Sequence, residues 1–159
     1  MTGPIREPQT DETFTVLAVH EAPVELVFAA MTTPEHLTHF WGPDGTHTPI
    51  DGIVVDLRPG GAFHTTMVSD QGQHTMRARY VEVDPPRQLS WREVDSGVVT
   101  ELTFTDLGDG RTEVRTTQRG LPPAWRTPEA RAGWGTALER YANYLRSLVA
   151  DSPTARPHP

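Results

Sequence analysis

Cysteine and lysine are both absent from this chain of 159 residues. The first absence excludes disulfides, thiolate metal sites, iron–sulfur clusters and cysteine nucleophiles. The second excludes Schiff-base chemistry and a phosphate-loop lysine. The 14 basic residues, all arginine, stand against 21 acidic ones for a formal charge of −7. Binding of nucleic acid by counterion release needs the opposite sign, so no nucleic-acid partner is expected. No apolar run approaches the roughly 18 residues of a membrane span, and MTGPIREPQTDE at the start lacks a signal-peptide core. The expected location is the cytoplasm, with no membrane partner. No GxSxG marks a nucleophilic serine and no HExxH marks a zinc helix. His36 and His39, three apart, read as a solvated helix surface, and Gly60-Gly61 precedes a strand where a phosphate loop would open a helix. Neither a metal nor a cofactor is expected.

What remains is one domain. Length predicts a single core, and surface scaling buries about two thirds of the unfolded chain's area, enough for stability without staples. Residues 1–11 and 151–159 are polar, proline-bearing and aperiodic, and read as tails around a domain at 12–150. Phe14, Val16 and Ala18 alternate with Thr13, Thr15 and Leu17, predicting a strand that ends near His20. Pro23 suits the first turn of a helix whose apolar face is Val24, Val27, Phe28 and Met31, and Thr33-Pro34 starts a second through PEHLTHFW. From about 50 to 118 the period drops to two, with turn signals at RPGG, SDQGQ, VDPPR, DSG and GDG. That predicts a meander of about six strands. Thr127-Pro128 then opens a long helix to about Val149, with a stripe of Trp134, Leu138, Tyr141, Leu145 and Leu148. An α+β architecture follows, the helix laid across the apolar face of a curved antiparallel sheet.

This order of elements resembles the helix-grip fold of the START-like, or SRPBCC, superfamily. Within it the chain is similar to the group named after the activator of the heat-shock-protein-90 ATPase. The motifs are TPEHLTHFWGPDG at 33–45, DLRPGG at 56–61, YVEVDPPRQLSW at 80–91, LGDGRTEV at 107–114 and GWGTALERYANYL at 133–145. Ala78 and Arg92 depart from the residues usual in that group at those positions.

The resemblance implies a cavity between sheet and long helix that holds an apolar or aromatic small molecule. Strand alternation puts Phe63, Met67, Met76, Tyr80, Trp91, Leu102 and Phe104 on the inward face. Trp134, Leu138 and Tyr141 face them from the helix, and Trp41 joins from the end of the second helix. Gly133 and Gly135 cost the helix about 2 kcal/mol in propensity. Tight helix-to-sheet packing and a bare wall for a ligand both explain them. His74 shares its face with Met76 and Tyr80, so His74 and Tyr80 are the candidates for moving a proton, while His64 points to solvent. Three readings stay open. The first is a non-covalent binder of a hydrophobic, aromatic or polycyclic molecule, acting as carrier, sequestering agent or self-resistance factor, monomeric or homodimeric. The second is a polyketide cyclase or dehydratase, for which the cavity supplies orientation, and the third is a protein-interaction module of the chaperone-activator type.

Overall fold

The computed structural model describes residues 13–151. The tail expected at 1–11 lies outside them, as does that at 151–159 except for Asp151, which ends the last helix. The first alternating segment forms β1 (Thr13–His20). It is followed by α1 (Val24–Thr32), whose buried face includes Val27, Phe28 and Met31. Pro23 stands one residue before the helix, where its extended backbone caps it and its carbonyl accepts the N–H groups of Leu26 and Val27. The second helix, α2 (Pro34–Leu37), is shorter than PEHLTHFW suggested. Thr38 donates its hydroxyl to the Thr48 carbonyl at 2.6 Å. Gly42, at φ 101°, then turns the chain away from any helical path.

The meander contributes β2 (Val54–Val55), β3 (Ala62–Ser69), β4 (Gly72–Asp84), β5 (Gln88–Glu93), β6 (Val99–Gly108) and β7 (Arg111–Arg119). All neighbours pair antiparallel, in the order β1-β7-β6-β5-β4-β3-β2. β1 lies beside the last strand, with Thr13 opposite Arg119 and His20 opposite Thr112. The GDG signal is a two-residue hairpin in which Asp109 (φ 59°) and Gly110 (φ 75°) both adopt positive φ, the geometry that matches strand twist. In DLRPGG, a Cβ on Gly61 would come within 2.0 Å of the Asp56 carbonyl oxygen, so only glycine fits. Asp56 there holds Arg58 through its carboxylate at 2.9 Å. A register shift between Tyr80 and Glu82 bends β4 and helps curve the sheet.

The last element, α3 (Pro128–Asp151), begins where the Thr127 hydroxyl accepts the Ala130 N–H at 3.1 Å. Its contact with the rest of the fold is uneven. Tyr141 and Leu145 are buried against α1 and the sheet, whereas no residue from Pro128 to Arg140 is buried. The core therefore gathers under α1 and the second half of α3, around Phe28, Leu37, Phe40 and Phe104. The first half of α3 stands over open space. This is the helix-grip arrangement, and no helix among the described residues is long and apolar enough to cross a membrane.

Candidate functional site

The open space is a cavity of about 780 Å³ between α3 and the concave face of the sheet. Along β1 its wall is Phe14, Val16, Ala18 and His20, every second residue, which spans about 20 Å at the rise of a strand. Opposite them α3 presents Gly133, Trp134, Ala137, Leu138 and Tyr141. The glycines settle between their two explanations. A Cβ on Gly135 would meet nothing within 4 Å, and one on Gly133 would reach only Pro43 at 4.0 Å. Packing does not require either glycine, and both border the cavity.

The mouth lies where Trp134 meets Phe14, ring centroids 5.0 Å apart. Arg131 covers the same phenyl ring, its guanidinium carbon 4.6 Å from the centroid. A clamp beside it fixes α3 to the loop after α2. Arg140 Nη1 donates to the Gly42 and Pro43 carbonyls, both at 2.8 Å, and Thr136 accepts the Asp44 N–H at 3.1 Å. That loop carries Trp41, whose indole N–H donates to the Thr65 hydroxyl at 3.1 Å.

Eight of the expected wall residues border the cavity: Trp41, Met67, Met76, Trp91, Leu102, Trp134, Leu138 and Tyr141. Phe63, Tyr80 and Phe104 do not, although all three point inward and are buried. Phe63 and Tyr80 stack on each other at 5.3 Å and 11°, and the rings of Trp41 and Trp91 close over Phe63. Phe104 meets Phe28 of α1 edge to face at 5.2 Å. Alternation shows which face a side chain takes, but not whether a helix or a void covers it.

This corrects the pairing of His74 with Tyr80. His74 lines the cavity at its exposed rim, but the Tyr80 hydroxyl is sealed in the core with no hydrogen-bond partner, and burial pushes its pKa above the usual phenol range. Glu93 lies on the cavity wall instead. Burial pushes its carboxyl pKa up, outweighing the Ser96 hydroxyl that donates to Oε1 at 3.1 Å and the nearby charge of His74. The signal for Glu93 was present, because it stands two residues after Trp91 on the same face. His64 is no part of the wall and sits opposite Val54 and Arg77.

At the inner end, His20 is only 5 % exposed and meets the Tyr141 ring edge to face at 5.2 Å. Burial, reinforced by the charge of Arg146, pushes its imidazole pKa down to about 4, so the ring is neutral at neutral pH. The His36–His39 pair packs α2 onto α3: His36 Nδ1 lies 2.6 Å from the Tyr144 hydroxyl, and His39 stacks on the same ring at 5.3 Å. Among the described residues no group of three or more His, Asp or Glu is placed to hold a metal ion.

The fold recurs in solved structures. A protein from Chromobacterium violaceum is 26 % identical, with 84 % of this chain and 96 % of that one aligned at a TM-score of 0.73. The AHSA1-like protein from Aeromonas hydrophila is 24 % identical over 92 % of this chain and 97 % of its own, at 0.72. A Rhodobacter sphaeroides protein reaches 0.77 at 19 % identity, over 89 % and 97 %. Among curated proteins none matches the sequence. Residues 21–146 match the family described as Activator of Hsp90 ATPase homolog 1-like protein. That span runs from the end of β1 through the clamp, the whole meander and most of α3, and on it the chain belongs to the activator of Hsp90 ATPase homolog 1-like family.

Proposed function

We propose that the protein binds an uncharged hydrophobic molecule, aromatic or polycyclic, between the sheet and α3, as a carrier, sequestering agent or self-resistance factor. The observation that carries this reading is the cavity itself: about 780 Å³, walled by Phe14, Trp41, Met67, Met76, Trp91 and Trp134. Its size falls within the range of small-molecule sites, roughly 300–1,000 Å³. Ring faces and thioethers are polarizable and tolerant of ligand shape. The net charge of −7 accords with a neutral guest. Native mass spectrometry of protein purified from its own host tests this. The expected result is a retained species that leaves on denaturation. Protein that emerges empty and also fails to take up added pyrene overturns the reading.

An enzyme of the cyclase or dehydratase kind is the second reading, and it draws on one observation. His74 and Glu93 border the same cavity, close enough for the charge of one to act on the other. Such a pair can relay a proton to a held intermediate. Unchanged turnover of an identified substrate by His74→Ala would remove that residue from the mechanism. An interaction module of the chaperone-activator type rests on family resemblance alone.

A further inference from the structure

We propose that His20 is a polar subsite at the inner end of the cavity, where its ring hydrogen-bonds an uncharged hydroxyl or carbonyl on the leading end of the ligand. This rests on the cavity-binding reading and adds the chemical character of one end of the guest. β1 runs from the mouth at Phe14 to the inner end at His20, and its four wall residues change along that path from apolar to imidazole. Two polar neighbours of the ring are already engaged. Thr112, the cross-strand partner of His20, donates its hydroxyl to the Ala22 carbonyl at 2.8 Å. Tyr141 donates to the Val27 carbonyl at 2.6 Å. The imidazole makes no hydrogen bond within the described residues; the residue is nearly buried, but its nitrogens are not among the sealed polar atoms and are left accessible on a residue that lines the cavity.

A polar group that a guest covers without offering it a partner costs about 1–3 kcal/mol. Here the ring lines the cavity, so a guest that hydrogen-bonds it avoids that cost and a wholly apolar one does not. A neutral imidazole offers one N–H donor and one acceptor nitrogen. It therefore fits a hydroxyl, which can use either nitrogen, or a carbonyl, which accepts from the N–H. A carboxylate is disfavoured, because a single neutral donor does not offset the burial of a full charge.

The test compares pyrene with 1-hydroxypyrene on the full chain by fluorescence titration. The affinity ratio of 1-hydroxypyrene to pyrene should fall about fivefold to tenfold in His20→Phe, the worth of one hydrogen bond. Pyrene binding by the same variant is the reference for that ratio, so any general change that phenylalanine makes to the cavity wall cancels from it. As a second readout, the ¹⁵N imidazole signals of His20 should move with 1-hydroxypyrene and not with pyrene. If both probes bind and neither the ratio nor the signals respond, the subsite is wrong while the cavity reading stands. If neither probe binds, the cavity reading falls and takes the subsite with it. Should His20→Phe fail to fold, the wild-type imidazole signals decide alone.

Discussion

Trp134 of α3 rests its indole against Phe14 of β1, 5.0 Å between centroids and tilted by 57°, and so joins the long helix to the edge strand at the mouth of the cavity. The contact is peripheral to the core, because no residue in the first half of α3 is buried. Trp134→Ala should therefore act on ligand release more than on folding. Dissociation of bound pyrene, followed by stopped-flow fluorescence, should speed up about threefold to tenfold, the worth of one aromatic pair. A collapse of the melting temperature by more than about 5 °C would show that the indole belongs to the core after all.

Gly133 and Gly135 sit in a helix without being needed there for packing. Replacing either by alanine should stabilise the fold by up to about 1 kcal/mol, through helix propensity. The same methyl group narrows the cavity, so affinity for a bulky polycyclic probe should fall as the melting temperature rises. Calorimetry of both properties checks this, and a drop in stability would restore the packing explanation.

Arg140 holds the Gly42 and Pro43 carbonyls through one guanidinium nitrogen. A hydrogen bond to a charged group contributes about 1.5–3 kcal/mol, and Arg140→Ala removes the two short ones together with a longer one to the Thr46 hydroxyl at 3.4 Å, all sharing one donor nitrogen. Urea unfolding should show a loss on the order of 2–3 kcal/mol. Tryptophan fluorescence should also report greater exposure of Trp41, which the clamped loop carries. Unaltered emission would mean that Thr65, Phe63 and Trp91 hold Trp41 without the clamp.

The pKa of His20 is near 4 in the folded protein against 6.5 for an ordinary imidazole. The unfolded chain therefore takes up its proton first as pH falls, which favours unfolding. The contribution of His20 is fully present above about pH 6.5 and is lost between there and 4, a loss on the order of 2 kcal/mol by pH 4.5. Chemical denaturation of wild type and His20→Phe at pH 7 and 4.5 should show the variant losing less stability on acidification by that amount. Parallel losses in the two proteins would refute the assignment.

The strand pattern was legible because period two survives in the mature sheet. Leu102 and Val114 alternate inward as their sequence positions imply, and both face the cavity. Phe104, two residues beyond Leu102, was indistinguishable from it in sequence, yet it lies beneath Phe28. That difference is tertiary: it depends on where α1 crosses the sheet. His20 was overlooked for another reason. It continues the register of Phe14, Val16 and Ala18, but a polar residue at the end of a strand reads as the start of a turn. The overlong second helix shows the same limit, since Thr38 takes a partner ten residues away that no local periodicity reveals.

The uneven seating of α3 divides labour along a single helix. Tyr141 and Leu145 secure it, while the stretch carrying Gly133, Trp134 and Leu138 overhangs the void. Substitutions at the cavity-lining positions of the overhang would reshape the void without touching the buried residues that secure the helix. Under the proposed binding role, selectivity and foldedness are thus free to drift separately, a property that suits one scaffold to many guests.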